Sequence, residues 1–435
     1  MVRQVRLLLV LVVMSALLLM LGGVVAQDFP APLADDQQVT IRFYSYNLAS
    51  AAFGESTQAL LAEFQQAHPN ITVEGVAVPG NEILARTQAD IVAGTPPDVA
   101  QLIFDGLDFI VNNFSAAPLE QIVPPEELAA HFEGFSPNGL RLAQLNDQTY
   151  GMAFTFSTPV LFYNADLFRA AGLDPEQPPT TWEQVKDYSI KIAESTDADG
   201  VHIAGLGGFD WIVQSLIASN GGRVLSEDRS TIQFGETAAI GAISMWQDLV
   251  LSGAHSRLTD GESTESFMTG KLGMFLNSSA LQSTLINASA GNFELRAAAM
   301  PAFGEQITQP TNSGSALFIF SQDPAKQRAA WEFVKFMTSE RGYTLITSKT
   351  GYLPLRPAIV DDPQYLKGWV EENPLVQPNL EQLSRLTPWV SYPGPNWRQI
   401  ETILLESVQL AITGEGDVAA IMADAQQRAQ ALMPQ

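Results

Sequence analysis

Apolar and polar positions alternate through Val39, Thr40, Ile41, Arg42, Phe43 and Tyr44, a two-residue period that predicts a strand. Positions 56–67 switch to the helical period, with Leu60, Leu61 and Phe64 on one side. The helix closes at His68-Pro69-Asn70, because Pro cannot continue it. A strand at 71–78, a helix at 83–93 ended by Gly94 and Pro96-Pro97, and a strand at 98–104 complete an alternating order. Such alternation favours a parallel sheet with helices on both faces and a ligand site at the carboxyl ends of the strands.

A second set of elements follows Gly151. The pattern predicts a strand at 160–163, a helix at 180–194 capped by Thr181, and apolar-striped helices at 210–218 and 238–251. From Glu262 it reads helix, Gly270-Lys271 turn, strand 272–276, polar turn Asn277-Ser278-Ser279 and helix to about 290. Ser278 is placed to cap that last helix, whose first N–H groups would face whatever lies beyond the strand end. A strand at 315–320 and helices at 324–338, 397–412 and 418–432 follow. The 195–200 loop spaces oxygen ligands as a calcium loop does, but Leu206 stands where the bidentate Glu belongs, so a polar turn is expected there.

The N-terminus reads as an export segment. Arg3 and Arg6 precede an apolar run over 7–21 broken by Ser15, and Val24-Val25-Ala26 offers small residues before a cut at Gln27. Residues 1–26 are expected to be a signal peptide and 27–37 a flexible lead-in; an uncleaved anchor is the alternative. With no Cys in the chain, lipoprotein anchoring, disulfides, thiolate nucleophiles and cysteine metal sites are excluded. The 435 residues carry 47 acidic and 23 basic side chains, a net charge of −24 that argues against binding nucleic acid.

Candidate chemistry is sparse. His68, His131, His202 and His255 lie tens of residues apart, and no nucleophile elbow, Walker loop or complete dinucleotide fingerprint occurs, so no cofactor or metal is expected. Aromatic and polar residues gather instead where elements end: Tyr44 and Tyr46, Phe104 beside Asp105, Trp211 beside Asp210, Tyr352, Trp389, Tyr392 and Trp397. Such groups suit a hydroxyl-rich solute, since rings cover its C–H faces while amides, hydroxyls and carboxylates bond its hydroxyls. Core packing is the plainer use of each ring, and Tyr352 and Trp211 are the least core-like.

The stretch Ser157-Thr158-Pro159-Val160-Leu161-Phe162-Tyr163-Asn164, then Ala171-Gly172-Leu173-Asp174-Pro175, Thr181-Trp182, Glu262-Ser263-Thr264-Glu265-Ser266-Phe267 and Thr350-Gly351-Tyr352-Leu353-Pro354 resemble the extracellular solute-binding proteins of ABC importers. The likeness is to the sugar-binding group that includes the maltose-binding protein, nearest its glycerol-3-phosphate-binding branch. It implies an α/β fold of two lobes around a cleft, 38–154 plus 304–349 and 155–303 plus 350–433, closing on ligand about a multi-strand hinge. It further implies a monomer without catalysis that hands an intact solute to membrane permease subunits; an exported carbohydrate-active enzyme is the alternative of a different class. By matching motif, Ser157, Ser278, Gly314 and Tyr352 resemble ligand contacts, and Trp211 a cleft tryptophan. Glu82, Asp105 and Glu401 stand where the branch has other residues: an aromatic at 82, an acid one position before 105, and a phosphate-binding Arg at 401. An acid at 401 would repel phosphate, which favours a neutral sugar, oligosaccharide or polyol over glycerol-3-phosphate; the cationic head group of a glycerophosphodiester such as glycerophosphocholine would also suit the aromatic and acidic wall.

Overall fold

Residues 29–434 are described by a computed structural model; the expected export segment, 1–26, lies outside them. Eleven strands occur among these residues: β1 Val39–Ser45, β2 Ile71–Ala77, β3 Val99–Ile103, β4 Gln144–Leu145, β5 Gln148–Thr149, β6 Gly151–Ser157, β7 Pro159–Asn164, β8 Asp199–Ile203, β9 Leu272–Ser278, β10 Leu295–Ala299 and β11 Ser313–Ile319. They form a five-stranded sheet, β2-β1-β3-β11-β6, a four-stranded sheet, β10-β7-β9-β8, and the small β4-β5 ribbon.

The first sheet is mixed. β1 pairs in parallel with β2 and β3, as the strand–helix alternation predicts, but β11 runs antiparallel to both β3 and β6. β11 returns to this sheet after the four strands of the other one, and its partners could not be read from local periodicity. The alternation of β1 puts Val39, Ile41 and Phe43 into the core. Phe43 meets Phe333 at 5.0 Å between ring centres, and Phe64 meets Phe333 and Phe336 at 5.2 and 5.6 Å. Helices Gly54–Ala67 and Pro324–Met337 thus cover one face, each buried Phe contributing about 1.5–3 kcal/mol.

Helix ends follow side-chain capping. The Thr181 hydroxyl accepts from the Gln184 N–H ahead of helix Trp182–Ser195. A Thr259–Glu262 capping box starts the helix predicted from Glu262 at Asp260, two residues earlier than its apolar period suggests. After Ser195 the Thr196 hydroxyl donates to the Ile192 carbonyl and accepts from the Ala198 N–H, and Asp199 enters β8, so 195–200 is a helix-to-strand turn. The lead-in is partly pinned: Leu33 packs on the core and the Ala34 carbonyl accepts from Asn70 Nδ2 at 3.3 Å.

Between the sheets the chain passes from β6 to β7 through the single residue Thr158. Ser157 pairs with Ser313 on one side and Pro159 with Ser278 on the other, so the chain changes sheet at the end of β6. The C-terminal helix Trp397–Ile412 packs against helices Thr237–Leu251 and Val418–Gln430. No helix among the described residues is long and apolar enough to cross a membrane.

Candidate ligand cleft

Where β6 of one sheet meets β9 of the other, the Ser278 hydroxyl donates to the Ser157 hydroxyl at 2.9 Å. Ser278 also accepts from the Ala280 N–H, the capping role its position predicts, at the turn leading into helix Gln282–Ser289. Both hydroxyls line a cavity of about 240 Å³ together with Gly314, Tyr352, Tyr46 and Trp389. Four expected contacts, Ser157, Ser278, Gly314 and Tyr352, therefore converge although they lie up to 195 positions apart in sequence.

Glycine is required at 314. Its φ is +126°, and a Cβ there would lie 2.0 Å from the Thr155 carbonyl oxygen of β6. Gly351 has the same constraint, with φ +144° and the Ser279 carbonyl oxygen 2.3 Å from a Cβ; it brings Tyr352 against the cavity. Tyr352 packs on Phe53 at 5.0 Å, and burial beside Tyr46 drives its phenol pKa well above 10. Beneath them the Tyr46 hydroxyl bonds Thr155 at 2.9 Å, Thr155 bonds Ser315 at 2.6 Å, and Gln101 donates to Ser315 at 3.0 Å while accepting from Ser45. This buried network fixes the floor through hydrogen bonds that cannot be traded for water.

The opposite wall is aromatic. Phe209 meets Trp389 edge to face at 6.0 Å, and the Trp389 indole N–H donates to Asp210 Oδ1 at 2.7 Å. Asp210 also accepts from Tyr392 Oη at 2.7 Å and Gln214 Nε2 at 3.0 Å. Behind this wall Asp105, Asp210 and Glu401 are all buried; Asp105 and Glu401 reach Arg398, and Glu401 Oε1 accepts from the Asp210 backbone N–H at 3.3 Å. Arg398 Nη1 lies 3.0 Å from Asp105 Oδ2 and 2.7 Å from Glu401 Oε2, with its guanidinium over Trp397 at 4.1 Å and Phe209 at 5.7 Å. Burial, opposed by Arg398 and reinforced by Asp210, pushes Asp105 up to about 6; burial and the two aspartates push Glu401 up to about 9.

Three expected contacts are elsewhere. Tyr44 belongs to the packed interior, donating to Asp90 Oδ2 at 2.8 Å, because its place inside β1 turns it toward helix Ile83–Val92. Trp211 is in the hydrophobic core: it opens helix Trp211–Ser219, whose buried face takes the indole inward. Glu82 is exposed at the start of helix Ile83–Val92, and its neighbours Gly80 and Asn81 line the cavity instead. Asp105 and Glu401 stand one layer behind the cavity. The residues missed are Asn81 and Phe209, the second of which carried a signal in adjoining the Asp210-Trp211 helix start; Tyr46 and Trp389 were already among the aromatics at element ends. A roomier cavity of about 520 Å³ contains His202 and His255, but its imidazoles are taken: His202 bonds Ser256 and Asp260, and His255 accepts from the Ile203 N–H.

Residues 50–344 match the model of the bacterial extracellular solute-binding protein family. The chain belongs to that family. An sn-glycerol-3-phosphate-binding periplasmic protein, UgpB, of Pectobacterium atrosepticum is 26% identical over 399 residues, covering 87% of this chain and 88% of the relative. In structure the chain is similar to UgpB from Mycobacterium tuberculosis, solved with glycerophosphocholine (TM-score 0.78, 20% identity, 90% of this chain and 98% of that one). It is also similar to the cyclic alpha-maltosyl-1,6-maltose binding protein from Arthrobacter globiformis (TM-score 0.77, 21% identity, 92% and 99%). The fold is thus the two-lobed α/β architecture of these proteins, and the chain is a solute-binding protein of the kind that serves ABC importers.

Proposed function

We propose that this protein captures a small, uncharged, hydroxyl-rich solute, a sugar or polyol, and releases it unaltered to an ABC permease. The observation that carries this reading is the convergence of the Ser157 and Ser278 hydroxyls, the Tyr46 and Tyr352 rings and the Phe209–Trp389 wall on one cavity. Hydroxyls exchange bonds with the ligand's own hydroxyls, and rings cover its C–H faces. A volume of about 240 Å³ lies below the roughly 300–1,000 Å³ of drug-sized pockets, which favours a monosaccharide or polyol over a long oligosaccharide.

In this reading, lobes 38–154 plus 304–349 and 155–303 plus 350–433 close about Thr158 and the neighbouring crossings. The protein is exported on its N-terminal segment and, lacking Cys, carries no lipid anchor. It performs no chemistry. Mass spectrometry of the solute that co-purifies, with small-angle scattering before and after its removal, tests the reading. An intact sugar or polyol and a more compact loaded form are expected; a cleaved product, or identical scattering curves over a panel of sugars and polyols, would sink it.

A further inference from the structure

A second cavity, of about 610 Å³, lies behind the aromatic wall of the cleft. Segment 386–390 divides the two: Trp389 lines the cleft cavity, whereas Pro388 and Val390 line this one. Arg141, Arg223 and Arg229 line it against one acid, Glu227, in a chain whose acidic side chains outnumber its basic ones 47 to 23. The Arg141 side chain makes no ion pair or hydrogen bond among the described residues. Arg223 meets Glu227 at 2.6 Å with both side chains more than half exposed, a pair that solvent screens and an entering anion can displace. Arg229 has φ +60°, uncommon for a residue with a Cβ, in a turn where Asp228 is taken up by Ser226 and Ser230. Its Nη2 donates to Asp108 at 3.0 Å and to the Ser391 carbonyl at 2.9 Å, which anchors the guanidinium and leaves Nη1 and Nε without partners among the described residues. Even with Asp108 counted beside Glu227, three guanidinium charges face two carboxylates. Thr311 also lines the cavity; it is buried, and its hydroxyl has no hydrogen-bond partner among the described residues.

We propose that this cavity is a second ligand site, separate from the cleft, for a small multivalent anion, a tricarboxylate or a polyphosphate. Guanidinium groups bond the paired oxygens of carboxylate and phosphate, and the Thr311 hydroxyl adds a neutral partner. A volume of about 610 Å³ falls within the roughly 300–1,000 Å³ of small-molecule sites. A monovalent anion is answered by one arginine, whereas a multivalent one can engage Arg141, which precedes β4, together with the 223–229 segment that follows helix Trp211–Ser219. The site goes beyond solute capture and does not depend on which solute the cleft takes.

The test is calorimetric titration of citrate and, separately, of pyrophosphate into the whole protein at low salt. At least one should saturate at one equivalent and weaken as salt is added, and which one does so tells carboxylate from phosphate. Failure of both to saturate by about 10 mM overturns the proposal. Arg141→Gln/Arg223→Gln should weaken the bound anion at least about tenfold, since each removes a charged donor. Unchanged binding by that folded variant places the anion elsewhere and overturns the proposal. Arg141→Gln alone, exposed and unbonded, serves if the double variant does not fold, and should show part of the loss; no loss there counts against the site. Ser157→Ala, in the cleft, should leave anion affinity within about twofold, whereas a tenfold loss would mean that the anion occupies the cleft and would overturn the proposal.

Discussion

Ser157 and Ser278, one from each sheet, are joined hydroxyl to hydroxyl across 2.9 Å in the lining of the cavity. A bond in that position is available for exchange: an entering ligand hydroxyl can take over either partner without leaving a buried group unpaired.

Replacing Ser157 or Ser278 by Ala should weaken binding of the co-purifying solute by about 0.5–1.5 kcal/mol each. Because they share one bond, the double replacement should cost less than the sum, a departure that a double-mutant cycle by calorimetry reads directly. Strict additivity would mean that the solute does not engage the pair.

The two tryptophans beside Asp210 should separate. Trp389→Ala should weaken solute binding by about 1–3 kcal/mol, as loss of a central aromatic contact does. Trp211→Ala should instead lower global stability by roughly 3–5 kcal/mol, the cost of emptying a core site, with little change in affinity for the fraction that folds. Denaturant melts and calorimetry on both variants distinguish these outcomes.

Glycine positions should differ by what their Cβ would meet. Gly314→Ala forces a Cβ to 2.0 Å from the Thr155 carbonyl and should cost more than about 3 kcal/mol or prevent folding. At Gly304, with φ +57° and nothing within 4 Å, Ala should cost only about 1–2 kcal/mol of left-handed strain. Thermal melting of both variants checks this.

Stability should fall as pH rises through the neutral and alkaline range because of Glu401. Its folded pKa is raised from 4.5 to about 9, so the folded chain keeps a proton that the unfolded chain releases. The stabilisation is complete below about pH 4.5 and is lost as pH climbs to about 9. Glu401→Gln should flatten that part of the melting-temperature profile; an unchanged slope would contradict the assignment.

Glu127 acts in the opposite sense. Although burial raises it, Arg328 at 2.7 Å and Lys335 at 2.5 Å hold its carboxyl down to about 2. Its contribution is present above about pH 4.5 and is lost as pH falls toward 2. Acid melts of Glu127→Gln should therefore show a shallower loss over that window than the unaltered protein.

Local order was legible in the chain because it is local physics. Periods of two and 3.6, Pro69 as a stop, and Thr181 and Ser278 as caps act within a few residues, and the helices at 182–195, 397–412 and 418–430 fall where those signals place them. Motif resemblance brought Ser157, Ser278, Gly314 and Tyr352 forward, and all four line one cavity. What tertiary structure alone decided was direction and depth. The antiparallel entry of β11 between β3 and β6 depends on a partner over 150 positions away, which no periodicity encodes. Tyr44 and Trp211 look as ligand-facing in sequence as Tyr46 and Trp389 do, yet the first pair is packed inward and the second lines the cavity. An aromatic ring gains by burial in either place, so its chemistry does not choose between them; the path of the backbone around it does. The same holds for Asp105, Asp210 and Glu401, which lie far apart in the sequence and shift one another's protonation only once folding sets Asp105 and Glu401 against Arg398 and Glu401 against Asp210.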